Sequence, residues 1–188
     1  MTSILKVNTL QDSTGNTALN INSNGSVIIN NDNRPRFQLG FTEDDDSNVG
    51  TCDGTNYRIT YTQAIINSDG AGGTCVADAG GGTYHTFTAP ISGLYLFFTN
   101  HYALWTSNNS RAKAMLAVDD NSGHDQTFVA WNANWETNTS VGLTHPIYLN
   151  ANQTVASFMA LYDSNGTTGT FQIKRNKNLS YFGGYLIG

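Results

Sequence analysis

Positive charge is scarce in this chain, which has nine Lys and Arg residues among 188 and a net charge of −5 at neutral pH. Nucleic acid is bound through clustered cations that pair with phosphates, and the sequence contains no such cluster. Charged residues of either sign are 12% of the composition, against 39% hydrophobic residues. This balance differs from that of a high-charge disordered chain. We therefore predict a folded globular chain that does not bind nucleic acid.

Long apolar runs are also missing. No window approaches the twenty apolar residues of a membrane span. The opening MTSILKVNTLQDS lacks the basic segment followed by an apolar stretch that a secretion signal needs. The sequence predicts no membrane association, and it predicts synthesis in the cytoplasm.

Cysteine is limited to Cys52 and Cys75, too few for a disulfide framework and without the neighbouring ligands of a zinc site. A strand-like run from Tyr57 to Asn67 lies between them. Eleven extended residues span roughly 36 Å, whereas a disulfide requires a Cα separation of about 6 Å. We expect two reduced thiols; only loops that fold back, or pairing between chains, would join them.

Patterns that indicate catalysis or metal binding are absent from the sequence. Its four histidines form no His-x-x-x-His pair, and no serine lies in a Gly-x-Ser-x-Gly turn. The acidic segments Glu43 to Asp46 and Asp119 to Asp125 offer oxygen ligands but do not match an EF-hand loop. We interpret both as solvated loops, with calcium binding as the alternative. The sequence predicts no enzymatic activity, no cofactor and no metal.

The residues from Arg34 onward favour β-structure. Asn, Thr, Ser and Gly are abundant, and these residues favour turns and exposed strand faces over helices. No stretch of twelve residues has a helical period. Short strand-like segments separated by Gly, Asn and Asp predict an all-β sandwich or barrel. The ten segments are RFQLGF, YRITYTQAII, YHTFTA, GLYLFFTNHYALW, RAKAMLAVD, QTFVAW, LTHPIYL, TVASFMALY, TFQIKR and LSYFGGYLIG.

The first 33 residues differ from the rest, because their apolar runs are short and are interrupted by Gly15 and by Asn24-Gly25. Within them, ALNINSNGSVII predicts two strands joined by a tight turn. Such a segment has too little apolar surface to fold alone, so it must pair with the main domain, with copies of itself or with another protein. We divide the chain into an extended β-rich arm, residues 1–33, and a main domain, residues 34–188. The positions expected to attach the arm are Ile4, Leu5, Val7, Leu10, Val27, Ile28 and Ile29.

One predicted strand is apolar on both faces. Leu94, Leu96 and Phe98 alternate with Tyr95 and Phe97. A sandwich covers one face of a strand with its opposite sheet, and covering the other face requires another subunit. The C-terminal segment repeats this pattern. The residues that we assign to the core or to a subunit interface are Phe37, Phe87, Tyr95, Phe97, Tyr181, Phe182 and Tyr185.

Four stretches carry a resemblance to a known family. FTAPISGLYLFF, from Phe87, and SYFGGYLI, from Ser180, resemble signature positions of the C1q-like head domain, which belongs to the tumour necrosis factor-like jelly-roll superfamily. RPRFQLGF, from Arg34, resembles the family's first strand. YLNANQTVAS, from Tyr148, matches a later segment, except that Asn-Gln replaces the family's Gly-Asp pair. The resemblance covers about residues 34–188 and implies a jelly-roll β-sandwich of about ten strands that forms a homotrimer about a threefold axis.

The opening segment, MTSILKVNTLQDSTGNTALNINSNGSVII, resembles N-terminal segments of bacteriophage virion proteins, especially those of phages that infect cyanobacteria. This resemblance implies a structural protein on the virion surface, made in the host cytoplasm. Its arm would bind the major capsid protein or another virion protein, with the head facing outward. A capsid cement, or decoration, protein is the reading we favour, because the sequence has no long shaft or repeats. The alternative is a short tail fibre or receptor-binding tip that recognises a host surface glycan or protein.

Overall fold

The computed structural model describes residues 9–11, 17–21, 27–29, 34–42, 45–105, 110–119, 128–132, 138–163, 169–175 and 178–187. Every regular element within these ranges is a β-strand, so none of them contains a helix long and apolar enough to cross a membrane. The chain divides into two compact units, Met1–Asn33 and Arg34–Gly188. We call them the arm and the head. The attachment role expected of the arm remains a prediction.

The arm contains a three-stranded antiparallel sheet made of β1 (Thr9–Gln11), β2 (Thr17–Ile21) and β3 (Val27–Ile29). Strands β2 and β3 are the two predicted on either side of Asn24-Gly25. Leu10 pairs with Leu19, and Leu19 pairs with Ile29. The predicted attachment positions Ile4, Leu5 and Val7 lie outside the described residues.

The described part of the head contains twelve strands. In chain order they are β4 (Arg36–Gly40), β5 (Asp45–Thr51), β6 (Tyr57–Arg58), β7 (Gln63–Ser68), β8 (Thr86–Thr88), β9 (Gly93–Trp105), β10 (Ser110–Val118), β11 (Phe128–Asn132), β12 (Asn138–Leu149), β13 (Thr154–Asp163), β14 (Thr170–Arg175) and β15 (Tyr181–Leu186).

Two antiparallel sheets are built from these strands. In the larger sheet, β9 pairs with β12 along one side and with β15 and β14 along the other. Beyond them, β4 and β7 extend the sheet from β15, and β5 pairs with β14. The smaller sheet has the order β11-β10-β13-β6, with β8 also pairing with β13.

The core lies between the two sheets and is rich in aromatic rings. Phe37 of β4 stacks on Phe87 of β8 with a centroid distance of 4.7 Å, and it makes a T-shaped contact with Phe182 of β15 at a centroid distance of 4.8 Å. Phe97 of β9 lies 5.3 Å from Phe87. Alternating residues of each strand point inward, which is why apolar residues two apart in sequence meet in one cluster.

The predicted strand from Tyr57 to Asn67 is wrong, because the chain changes sheets within it. Strand β6 pairs with β13 of the smaller sheet, whereas β7 pairs with β4 of the larger sheet. Ile59 and Tyr61, between the two strands, are buried in the core that separates the sheets. Cys52 and Cys75 are both buried, and neither forms a disulfide bond, in agreement with the two thiols expected from the sequence.

The predicted solvated loop at Glu43 to Asp46 is also wrong for its last two residues. Asp45 and Asp46 belong to β5, where they stand opposite Arg175 and Lys174 of β14. A polar stretch forms a strand here because its partner strand supplies the backbone pairing.

Candidate functional site

The residues predicted for the core or an interface fall into two groups. Five of them are buried in the core of the single chain: Phe37, Phe87, Tyr95, Phe97 and Phe182. The other two lie on the opposite face of β15, where Tyr181 is half-buried and Tyr185 is 38% exposed. Both groups belong to the strands on which they were predicted, but only the second is available to another molecule.

The outer face of the larger sheet carries a patch of apolar side chains. On β9, Tyr95 and Phe97 point inward and are fully buried, while Leu94 on the other face is 38% exposed. Strand register extends this face across the sheet: Leu94 stands opposite Tyr148 of β12, and Leu96 stands opposite Tyr185 of β15. We define the outer patch as Leu94, Leu96, Phe98, Tyr148, Tyr185 and Ile187.

Tyr148 is the most exposed residue of the patch, with 64% of its surface accessible. Burying large apolar and aromatic side chains is favourable, and a contiguous exposed set of them marks an interaction surface. Ile187 lies beside Leu94 in the patch, because its amide donates a hydrogen bond to the carbonyl of Leu94. The patch is therefore the surface of the described head best suited to bind a partner.

Farther along β9 the same face becomes polar. The Ser140 hydroxyl donates a hydrogen bond to Oδ1 of Asn100, and Nδ2 of Asn100 donates to the carbonyl of Leu179. The Tyr102 amide donates to the hydroxyl of Ser180. The first bond links β12 to β9, and the other two link the turn before β15 to β9.

Neighbouring aromatic rings leave no room for a side chain at the two glycine positions of SYFGGYLI. Gly183 stands opposite Phe98, and a Cβ atom there would lie 2.5 Å from the Phe98 ring. The missing side chain lets that ring lie over the backbone of β15, where it also makes a T-shaped contact with Tyr181 at a centroid distance of 6.1 Å. Gly184 makes room for Phe97 on the inner face, where a Cβ atom would lie 2.7 Å from the Phe97 ring.

The acidic segments do not gather into a metal site within the described residues, in which no group of three His, Cys, Asp or Glu side chains could hold an ion. Asp119 accepts hydrogen bonds from the amide of Thr154 at 2.7 Å and from Nε2 of Gln153 at 2.7 Å. The Thr154 amide lowers the pKa of this carboxyl. Its oxygens therefore hold the start of β13, and the remainder of this acidic segment lies outside the described residues.

Sequence reasoning did not single out Tyr148 or Ile187. The alternation in LTHPIYL places Tyr148 on the face opposite Ile147 and Leu149, both of which are buried. That alternation could have identified Tyr148 as an outer-face residue. Ile187 follows the last strand, and its place beside Leu94 depends on pairing between distant segments.

No family model and no curated protein sequence matches this chain. Among solved structures, murine APRIL at pH 5.0 matches with a TM-score of 0.55 and 6% identity, covering 82% of this chain and 99% of that chain. Eiger TNF from S. frugiperda matches with a TM-score of 0.55 and 10% identity, covering 82% of this chain and 93% of that chain.

The chain has a tumour-necrosis-factor-like jelly-roll fold. The predicted fold class is therefore confirmed, and the outer patch belongs to one of the two sheets of a TNF-like head.

Proposed function

We propose that the chain is a non-enzymatic structural protein that assembles as a homotrimer through the outer face of its larger sheet. The outer patch is the observation that carries this proposal, because its large apolar residues Leu94, Tyr148 and Tyr185 are exposed on the surface of the single chain. Aromatic residues are enriched at subunit interfaces and contribute most of the binding energy there.

The choice of three copies rests on the fold. The C1q-like resemblance implies a threefold axis, and the TNF-like jelly roll supports that reading. Closed symmetric assembly also limits growth, because a rotational interface that closes leaves no free binding patch. A trimer would bury the outer patch of every copy.

We further propose that the trimer is a component of a tailed-phage virion. Its arm would grip the major capsid protein or another virion protein, and its head would face outward at the virion surface. The phage-like opening sequence supports this assignment. The division into a small arm and a larger head also supports it, since attachment and display need separate surfaces.

A capsid cement protein is the favoured role. Within the given sequence, the described part of the arm consists of three short strands without an internal repeat, which favours a head held close to its support. A fibre tip that binds a host glycan or protein would occur at far fewer sites on a particle.

Copy number distinguishes these roles. Quantitative mass spectrometry of purified particles of the encoding phage, calibrated against the major capsid protein, should find the chain at hundreds of copies. Tens of copies would overturn the cement role in favour of the tail alternative. Absence of the chain from purified particles would refute the virion assignment.

A further inference from the structure

A buried polar cluster joins the two sheets of the head. Nε2 of His101, on β9, lies 2.8 Å from the hydroxyl of Ser157 on β13, and 3.0 Å from the hydroxyl of Thr99. The two hydroxyls lie 2.9 Å apart. All three residues are buried. The cluster therefore forms a polar link between the larger and the smaller sheet inside an apolar core.

The same cluster supports β15. The Thr99 hydroxyl donates a hydrogen bond to the carbonyl of Tyr181 at 3.1 Å. Thr99 and His101, two residues apart on β9, thus contact Ser157 of the smaller sheet, and Thr99 also bonds to the neighbouring strand β15. His101 lies beside both of the hydroxyls that make these connections.

One nitrogen of the His101 ring is left without a partner. Nδ1 is buried and makes no hydrogen bond within the described structure, whereas Nε2 has two neighbours. The neutral ring tolerates this arrangement with one unsatisfied atom. A protonated ring would carry a positive charge and an unpaired N–H group in the same place, which is far more costly.

Among the described residues, no charged side chain joins the cluster to compensate for that cost. The element beside His101 in the larger sheet presents Val141, and the smaller sheet presents Ser157. Tyr61 is the titratable group beside the two hydroxyls, and burial raises its pKa, so it stays neutral. Burial alone lowers the pKa of His101 to about 3, with no contribution from a charged side chain.

We infer that the His101, Thr99 and Ser157 cluster is an acid-sensitive clasp, which holds the two sheets together at neutral pH and releases them in mild acid. In the unfolded chain a histidine takes up a proton near pH 6.5. The folded head resists protonation of His101. The contribution of this residue to stability is therefore fully present above that pH and decreases as the pH falls from about 6.5 toward 3. The inference does not depend on the proposed function.

The test compares full-length variants by chemical denaturation between pH 7.5 and 4.5. Over this range the folding equilibrium constant of the wild-type chain should fall by about a hundredfold through His101 alone. Exposed carboxyls such as Asp69 and Asp78, whose pKa values are lowered by backbone hydrogen bonds, contribute at the acid end of this range. That contribution is common to all variants, so the comparison between variants isolates His101.

His101→Gln should remove most of this pH dependence. His85→Gln is the matched control, because His85 is a half-buried histidine outside the cluster, with its Nδ1 2.7 Å from the hydroxyl of the neighbouring Thr86. The control should keep most of the wild-type dependence. An unchanged dependence in His101→Gln would overturn the inference.

Hydrogen exchange of the wild-type chain provides a second test that needs no variant. Exchange rates at pH 7 and pH 5, corrected for the intrinsic effect of pH, should show protection lost first around residues 99–103 and 155–159. Equal protection of these segments at both pH values, or an earlier loss elsewhere in the head, would refute the acid-sensitive clasp.

Discussion

At the scale of single residues, Phe182 shows how the chain uses its aromatic side chains. Its ring is fully buried and lies 4.8 Å from Phe37, 6.2 Å from Phe97 and 6.3 Å from Tyr61. Tyr185, three residues later, is exposed on the other face of the strand. The two residues looked equivalent in sequence, and only one of them holds the single chain together.

Phe182→Ala should therefore destabilise the head strongly. Removing a fully buried Phe side chain costs about 3 to 5 kcal/mol through lost burial and the cavity that remains. The free energy of unfolding, measured by chemical denaturation, should show this loss, and Phe182→Leu should lose less. A loss below about 1 kcal/mol for the alanine variant would contradict the packing described here.

The two cysteines should behave as buried thiols. Burial raises the pKa of Cys75 to about 11, so little reactive thiolate is present at neutral pH. We expect slow labelling by a thiol reagent in the native protein. Both cysteines should label rapidly in denaturant without any reductant. Recovery of a peptide pair linked through Cys52 and Cys75 would contradict this prediction.

At the scale of strands, local alternation determined what could be predicted. Strands β9 and β13 have long apolar patterns and were found at nearly their observed bounds. Strand β5 was missed because its sequence, DDSNVGT, has no such pattern and depends on pairing with β14, more than a hundred residues away. Non-local pairing of this kind leaves no local trace.

The smaller sheet also departs from the sequence expectation. Its outer face carries a second buried apolar cluster, so this sheet is apolar on both faces, as β9 is. An apolar pattern on both faces therefore does not by itself indicate a subunit interface. The outer patch can be distinguished from such buried positions only by the exposure of its side chains in the folded head. The cluster contains Met115, Ala117, Ala156, Phe158 and Ala160.

Gly183→Ala tests how β15 shapes the outer patch. The added methyl group would meet the Phe98 ring at 2.5 Å and the Phe37 carbonyl at 2.9 Å, so the ring must swing outward and the strand pair must shift. We expect a cost of about 1 to 3 kcal/mol from overpacking, together with weaker self-association on dilution.

Combining this change with Phe98→Ala provides its control. Removal of the ring should relieve part of the crowding, so the two changes should be less than additive in a double-mutant cycle. Full additivity would mean that Phe98 does not occupy the space above Gly183.

At the scale of the whole molecule, the head has a large buried core of its own. The described residues of its main buried cluster run from Phe37 to Phe182. Deletion of residues 1–33 should therefore leave a folded, soluble trimer that no longer joins particles. Light scattering would measure the first property, and the occupancy of the truncated chain on particles would measure the second.

Two outcomes would contradict this division of roles. Normal occupancy of the truncated chain would place attachment in the head. Aggregation or monomerisation would mean that the arm contributes to the fold or assembly of the head.

The central claim is that the outer patch joins three copies of the chain. Light scattering coupled to size exclusion, applied to the full-length chain at micromolar concentration, tests it most directly. The wild-type protein should elute at three chain masses, and Leu94→Glu should shift it to one. Ile65→Glu is the matched control, because Ile65 is 41% exposed, close to the 38% of Leu94, but lies outside the patch; this variant should remain a trimer. A wild-type chain that elutes at a single chain mass would contradict the account.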